Sequence, residues 1–148
     1  MKILIAVDDS PHSDRAVEFV TRMRWPGGSR MIVTSVMPSA AAILPSAVGS
    51  AANDSANGVA ERRRRHQVVV ARALGQLRAA GFATEGMVIE GDAREQIMKL
   101  VERERVDLLV MGSRGRSGLA RLMLGSVSGH AVIHAPCSVL VVKPTSGR

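Results

Sequence analysis

Five short runs of strand-forming residues alternate along the chain with longer stretches whose apolar residues recur at helical spacing. This alternation constrains the fold more than any other feature, because it is typical of a parallel sheet covered by helices on both faces. The predicted strands are Ile3–Val7, Met31–Val36, Ala83–Glu90, Val106–Met111 and Ser138–Val142. We therefore predict an α/β fold with one doubly wound, open parallel sheet of order 3-2-1-4-5 and right-handed crossovers.

The character of the strands supports this order. The first and fourth runs contain the continuously apolar segments ILIAV and LLVM, as central parallel strands do, whereas the third alternates apolar and polar residues and suits an edge. The 148 residues fit a single domain over residues 1–148. Residues 38–60 lack a sustained period and are expected to form a flexible loop, with a role as a lid over the ligand crevice, and residues 144–148 form a tail.

Helix boundary signals place four helices between the strands. The first begins after Ser10, the second covers about residues 61–80, Asp92 caps the third, and the fourth begins near Ser126. Apolar spacing predicts the inward-facing residues of the first three helices, which are Ala16, Phe19, Val20, Met23, Val70, Leu74, Leu77, Ile97, Leu100 and Val101.

Composition indicates what kind of protein this is and in which compartment to expect it. A hydrophobic content of 46% predicts a globular core, and the single cysteine, Cys137, excludes an internal disulfide framework. No apolar run approaches the roughly 20 residues of a membrane span. The opening MKILIAVDDS lacks the pattern of a secretory signal. We therefore predict a cytoplasmic protein with no membrane contact.

The charge balance is strongly basic, with 20 basic and 13 acidic residues and a formal net charge of +7. Nucleic-acid-binding proteins often carry such an excess. However, single-strand binding relies on aromatic stacking, and this chain has one Trp, two Phe and no Tyr. We expect no nucleic-acid partner. The run Arg62–Arg65 is either a solvated helix face or a contact for an anionic ligand or partner.

A glycine-rich stretch after the fourth strand carries most of the functional signal. Gly112, Gly115 and Gly118 are spaced three apart, and Gly125 precedes Ser126 at the start of the last helix. Glycines allow backbone N–H groups to approach a ligand closely, and a helix N-terminus adds further donors for an anion. With the hydroxyls of Ser126 and Ser128 and the cations of Arg114, Arg116 and Arg121, the stretch suits a polyphosphate. It matches neither GxGxxG after the first strand nor a Walker loop.

Asp8 lies at the carboxyl end of the first predicted strand. The first and fourth strands flank the switch point of the predicted sheet, where ligands bind in open α/β folds. A carboxylate there suits the nucleoside end of a nucleotide, where it can accept hydrogen bonds from a base amine or a ribose hydroxyl. The alternative is a carboxylate that only favours the start of the first helix, a role that suits Asp9 better.

These residues resemble the universal stress proteins of the nucleotide-binding, α-hydrolase-like (Rossmann-like) fold. The nucleotide-binding members share the pattern G-2x-G-9x-G-[ST], and here Gly112 and Gly115 are followed by nine residues and then Gly125-Ser126. The opening ILIAVDDS and the closing HAPCSVLVVK are similar to the family's first and last strands. The resemblance implies bound ATP, with Mg²⁺ a candidate companion of its phosphates.

The resemblance also implies which residues bind the nucleotide. Val36 and the first-strand residues would face the adenine. The residues that would hold ribose and phosphates are Met111, Gly112, Gly115, Gly125, Ser126 and Val127. Arg114 is added as a cation for the phosphates. The full set is Ala6, Val7, Asp8, Val36, Met111, Gly112, Arg114, Gly115, Gly125, Ser126 and Val127.

Members of this family usually dimerise through the last strand. The sequence gives an independent reason to expect pairing through residues 138–143, because Ser138–Val142 is apolar on both faces and would otherwise leave an uncovered sheet edge. We expect a homodimer that acts as a nucleotide-dependent stress-response switch or sensor toward an unknown downstream protein, and not a dedicated enzyme. The alternatives are slow ATP hydrolysis and a stress protein that binds partners without a nucleotide.

A more remote alternative is a phospho-acceptor receiver domain, which is also a five-stranded doubly wound fold. It requires an accepting Asp at the end of the third strand, where this chain has Glu90-Gly91 and where Asp92 is better explained as a helix cap. No catalytic constellation is evident either, because the four histidines are scattered: His12, His66, His130 and His134. The last two have a spacing that could hold a metal but lack a third ligand nearby, and Cys137 suits a small core residue.

Overall fold

The structure is a computed structural model that describes residues 1–39, 56–115 and 124–143. In this part of the chain strands and helices alternate as the sequence predicts. The elements are β1 (Lys2–Ala6), α1 (Pro11–Arg22), β2 (Arg30–Met37), α2 (Ala56–Ala79), β3 (Ala83–Glu90), α3 (Ala93–Glu104), β4 (Leu108–Gly112), α4 (Ser126–His134) and β5 (Ser138–Val142).

The strands form one parallel sheet of order β3-β2-β1-β4-β5, which confirms the predicted fold class. The central strand β1 pairs with both β2 and β4, so that Ile5 lies between Val33 and Val110. β3 and β5 have the predicted bounds. β4 begins two residues later than predicted because the Val106 N–H still bonds the Val101 carbonyl, at 3.0 Å, where α3 ends.

Two apolar cores cover the two faces of the sheet. One core joins the sheet to α1 and α2, and its fully buried members include Ile3, Val20 and Leu77. The other joins the opposite face to α3 and α4, with Leu4 and Leu100 at its centre. The inward stripe predicted for α3 is confirmed, because Ile97, Leu100 and Val101 are all buried.

The inward face of α1 is partly different from the prediction. Ala16 and Val20 are buried as expected, but so is Val17, while Phe19 and Met23 are exposed. The buried stripe is centred one position earlier, beginning at Ser13. Met23 lies beyond the last helical residue in an extended conformation, so helical spacing no longer determines where its side chain points.

The second helix begins about five residues earlier than predicted, at Ala56, so the last residues of the expected 38–60 loop are helical. Residues 40–55 of that loop, with the predicted lid, and the 144–148 tail lie outside the described residues. On α2, Val70 and Leu77 are buried and Leu74 packs against the same core as a partly buried residue. Among the described residues no helix is both long and apolar enough to cross a membrane.

Candidate functional site

A cleft with a volume of about 380 Å³ opens where the carboxyl ends of β2, β1 and β4 meet. All eleven residues predicted to bind a nucleotide line it, so the fold brings the set together; contact with a nucleotide stays a prediction. Ser128, whose hydroxyl was expected to suit a polyphosphate, also lines the cleft. The sequence reasoning missed six further lining residues, which are Ser13, Thr34, Pro38, His66, Ala93 and Ile97.

Asp8 connects the first helix to the glycine loop. Its Oδ1 accepts a hydrogen bond from the Ser10 hydroxyl at 2.5 Å, and its backbone N–H donates to Ser13 Oγ at 3.0 Å. Ser10 in turn caps α1 by accepting from the Ser13 N–H. Asp8 Oδ2 faces the loop, because a Cβ atom built on Gly115 would lie 2.7 Å from it. The carboxylate therefore braces the helix start and also lines the cleft, while its contact with a nucleoside stays a prediction.

Asp9 has a different environment from Asp8. It is exposed and lies 3.5 Å from the guanidinium of Arg72, which also bonds Asp14 on α1 at 2.9 Å. This ion pair links the start of α1 to α2 and is not part of the cleft lining.

Gly112 is required by packing. A Cβ atom at this position would lie 2.6 Å from the carbonyl carbon and 2.7 Å from the carbonyl oxygen of His12. These are backbone atoms in the first turn of α1, so only a residue without a side chain lets the helix approach the end of β4 this closely. The glycine at 112 is thus explained by helix packing, and the sequence reasoning assigned it only to the ligand.

Ser113 ties the two halves of the glycine motif together. Its carbonyl oxygen accepts from the Gly125 N–H at 2.8 Å and from the Ser128 hydroxyl at 2.9 Å. Its own N–H donates to the Val142 carbonyl in β5 at 2.9 Å, and its hydroxyl lies 3.2 Å from His12 Nδ1. These bonds hold the end of β4 against the start of α4.

The start of α4 is directed at the cleft, since Gly125, Ser126, Val127 and Ser128 all line it. Gly125 is the N-cap and makes no side-chain cap hydrogen bond. Helix starts leave backbone N–H groups without intrahelical partners, and these groups with the helix dipole favour an anion. Arg114 adds a cation to the same wall, whereas Arg116, Gly118 and Arg121 lie outside the described residues.

The opposite part of the lining is apolar. Val36, Ala93, Ile97, Met111 and Val127 form a slot between the sheet and the helices α3 and α4. On the other face of the sheet, His66 of α2 reaches the cleft, and its Nδ1 lies 2.8 Å from the hydroxyl of Ser35. No local pattern in the sequence marks His66, because its position depends on how α2 packs beside β2.

The remaining sequence candidates lie apart from this lining. Asp92 accepts from the backbone N–H groups of Arg94 and Glu95 at the start of α3, which confirms the helix cap and removes the basis for a receiver phosphorylation site. The rings of His130 and His134 contact each other with centroids 4.4 Å apart and planes tilted by 38°. Among the described residues no group of three or more His, Cys, Asp or Glu side chains could hold a metal ion.

Cys137 is a partly buried member of the core that joins the sheet to α3 and α4. Burial raises the pKa of its thiol, with a smaller contribution from the charge of Asp107. A thiol with a raised pKa is a poor nucleophile at neutral pH, in keeping with the structural role predicted for it.

The strand order and the cleft agree with a match between this chain and the model of the universal stress protein family over residues 1–143. The chain belongs to the universal stress protein family. The universal stress protein Sll1388 of Synechocystis is similar to this chain along nearly its whole length. The two are 30% identical over 149 residues, which cover 96% of this chain and 97% of Sll1388.

Solved universal stress proteins share the fold. MJ0577 of Methanocaldococcus jannaschii superposes with a TM-score of 0.79 at 27% identity, over 99% of this chain and 97% of that chain. A universal stress protein family member of Arabidopsis thaliana, solved with AMP bound, gives a TM-score of 0.71 at 20% identity, over 99% and 93% of the two chains.

Proposed function

We propose that this universal stress protein binds an adenine nucleotide, and specifically ATP, in the cleft at the carboxyl ends of β1, β2 and β4. The observation that carries the proposal is the division of one cleft into two chemically different walls. Backbone N–H groups and a cation line one wall, and an apolar slot lines the other. The AMP-bound Arabidopsis protein, which has the same fold, supports an adenine nucleotide as the ligand.

The phosphates would lie at the β4 side of the cleft. There Gly115 offers a backbone without a side chain, the start of α4 offers N–H donors, and Arg114 and Ser126 offer a cation and a hydroxyl. An anion at a helix N-terminus is stabilised by both the N–H groups and the helix dipole. Mg²⁺ would enter with the phosphates, since the described residues provide no cluster of protein ligands for it.

The adenine would lie in the apolar slot beside Val36 and Met111, where a flat ring removes apolar surface from water. Asp8 lies between this slot and the glycine loop, with Ala6 and Val7 preceding it. In that position its carboxylate can accept hydrogen bonds from a base amine or a ribose hydroxyl. Phosphates placed directly against Asp8 would be repelled, so we expect them nearer the start of α4 than the Asp8 carboxylate.

The switch itself depends on assembly. β5 is an edge strand whose residues from Val139 to Val141 are only partly buried, and an apolar edge is suited to pairing with a second copy. We propose a cytoplasmic homodimer of one domain over residues 1–148, paired through residues 138–143. Nucleotide occupancy would control contact with a downstream protein, and the protein would act by binding and not by catalysis.

The direct test is to titrate ATP into the wild-type dimer and into the variant Gly115→Glu and to compare the two affinities by calorimetry. A glutamate there adds bulk and negative charge to the glycine loop and also meets the Asp8 carboxylate, so ATP binding should be abolished while the dimer stays folded. Gly75→Glu is the matched control, because Gly75 lies on α2 with nothing within 4 Å of its Cβ position. Equal ATP affinity for the wild type and Gly115→Glu would contradict the phosphate assignment.

A second measurement separates the two ends of the nucleotide. Asp8→Ala should weaken binding of ATP more than binding of inorganic tripolyphosphate, because Asp8 is assigned to the nucleoside. An equal loss for both ligands would leave Asp8 with its role in bracing α1 alone. Mass spectrometry of the native protein would show directly whether an adenine nucleotide co-purifies with it.

A further inference from the structure

His66 is the one imidazole in the described lining of the cleft, and the packing of α2 explains its place there. The buried residues Val69, Val70, Ala73 and Leu77 form the inward stripe of this helix. His66 lies three and four residues before the first two, so it continues the same stripe beyond the core. At that point the stripe passes over the end of β2 and reaches the cleft, where His66 is half-buried.

The ring of His66 is contacted by a residue that lies outside the cleft lining. Its Nδ1 lies 2.8 Å from the hydroxyl of Ser35, a residue that is 1% exposed. Ser35 does not line the cleft, so its hydroxyl can orient the imidazole without touching a ligand. A ring that is already oriented loses little conformational freedom on binding, which favours affinity and specificity.

The strand order determines which end of a nucleotide His66 faces. Neighbouring strands are about 4.8 Å apart, so the β2 and β4 sides of the cleft are separated by roughly 10 Å, with β1 between them. The donors for phosphate lie on the β4 side. His66 lines the β2 side of the cleft from the face of the sheet that α2 covers, away from these donors, and therefore on the side where the nucleoside is placed.

We propose that His66 is a specificity-determining residue for the nucleoside of the bound nucleotide, and that Ser35 is its positioning residue. The inference rests on the proposed nucleotide-binding function and assigns a contact from α2, which the glycine motif does not include. The imidazole presents its ring to the nucleoside, whereas the phosphates are assigned to the opposite side of the cleft.

The test compares three ligands, ATP, AMP and inorganic tripolyphosphate, by titration calorimetry on the full chain. His66→Ala should weaken ATP and AMP about tenfold, the effect of losing one good hydrogen bond or ring contact, and should leave tripolyphosphate within about twofold. Ser35→Ala should shift the same two ligands in the same direction by a smaller factor. A merely structural role for Ser35 would not separate the nucleotides from tripolyphosphate.

His134→Ala is the control variant, because His134 is an exposed histidine on α4 that does not line the cleft. It should leave all three affinities unchanged. If His66→Ala lowers the Tm by many degrees, His66→Gln provides the same comparison with a side chain that keeps a polar end. Unchanged ATP affinity in the folded His66 variants, or an equal loss for tripolyphosphate, would overturn the inference.

The two proposals fail differently. Wild-type protein that binds none of the three ligands would refute the proposed function and this inference with it. Wild-type protein that binds ATP and AMP, with His66 variants that bind them equally well, would refute only the role of His66.

Discussion

Gly112 and Gly115 lie three residues apart in one loop, yet the same substitution to alanine should affect different properties. At Gly112 the new Cβ atom would lie 2.6 Å from the carbonyl carbon of His12, a backbone atom of α1. At Gly115 the nearest atom is Asp8 Oδ2, at 2.7 Å, which belongs to the end of a rotatable side chain. The first contact can be relieved only by moving a helix, and the second by rotating a carboxylate.

The expected magnitudes follow from this difference. Gly112→Ala should lower the free energy of unfolding by about 1–3 kcal/mol, the usual cost of overpacking a filled interior. For a chain of this size, that corresponds to a fall in Tm of about 2–12 °C. Gly115→Ala should change the Tm by less than about 2 °C, since relief of the contact is cheap and loss of glycine reduces the entropy of the unfolded chain. Its nucleotide affinity should fall, because the Asp8 carboxylate is displaced.

The assay is thermal unfolding of both variants with and without ATP, together with calorimetric titration of ATP. Gly75→Ala serves as the control, because its Cβ position on α2 is open and alanine favours a helix interior. The reasoning is refuted if Gly112→Ala unfolds at the wild-type temperature, or if Gly115→Ala loses as much stability as Gly112→Ala.

Two further predictions concern groups outside the cleft. Hydrogen bonds from the Arg94 side chain and, to a lesser extent, from the Glu95 N–H lower the pKa of Asp92. The Asp92 carboxylate therefore stabilises α3 fully above pH 3.8, the ordinary pKa of an aspartate. This stabilisation is lost as the pH falls through the lowered pKa. Asp92→Ala should therefore cost about 1 kcal/mol of unfolding free energy at neutral pH, and pH-dependent thermal unfolding should show the gap from wild type narrowing as the pH falls below 3.8. Because burial raises the pKa of Cys137, iodoacetamide should modify its thiol more slowly than it modifies glutathione at neutral pH, and a faster reaction would contradict the burial of this side chain.

Much of the fold could be predicted from local patterns. The continuously apolar segments in β1 and β4 predicted two interior strands, because strands buried on both faces need such segments, and the alternating residues of β3 predicted an edge strand. The inward face of α1 was only half predicted. Spacing alone cannot tell Val17 from Phe19, since both lie near the apolar stripe and the contact with the sheet decides which one is buried.

The candidate site divides in the same way. Spacing within one segment identified Gly115, Gly125 and Ser126, because a glycine motif before a helix has a recognisable local chemistry. The residues that were missed come from other elements. Ala93 and Ile97 lie on α3 and His66 lies on α2, and each reaches the cleft only through the packing of its helix on the sheet.

The sequence by itself therefore determined the order of the strands, the caps of α1 and α3 and the segment with N–H groups available to an anion. These properties depend on neighbours a few residues away. Only the tertiary structure decided that Gly112 must be glycine, that Asp8 faces Gly115, and that Ser35 orients His66 at the cleft. Each of these contacts joins residues far apart in the chain, and close packing between elements, which no local pattern encodes, sets the distances between them.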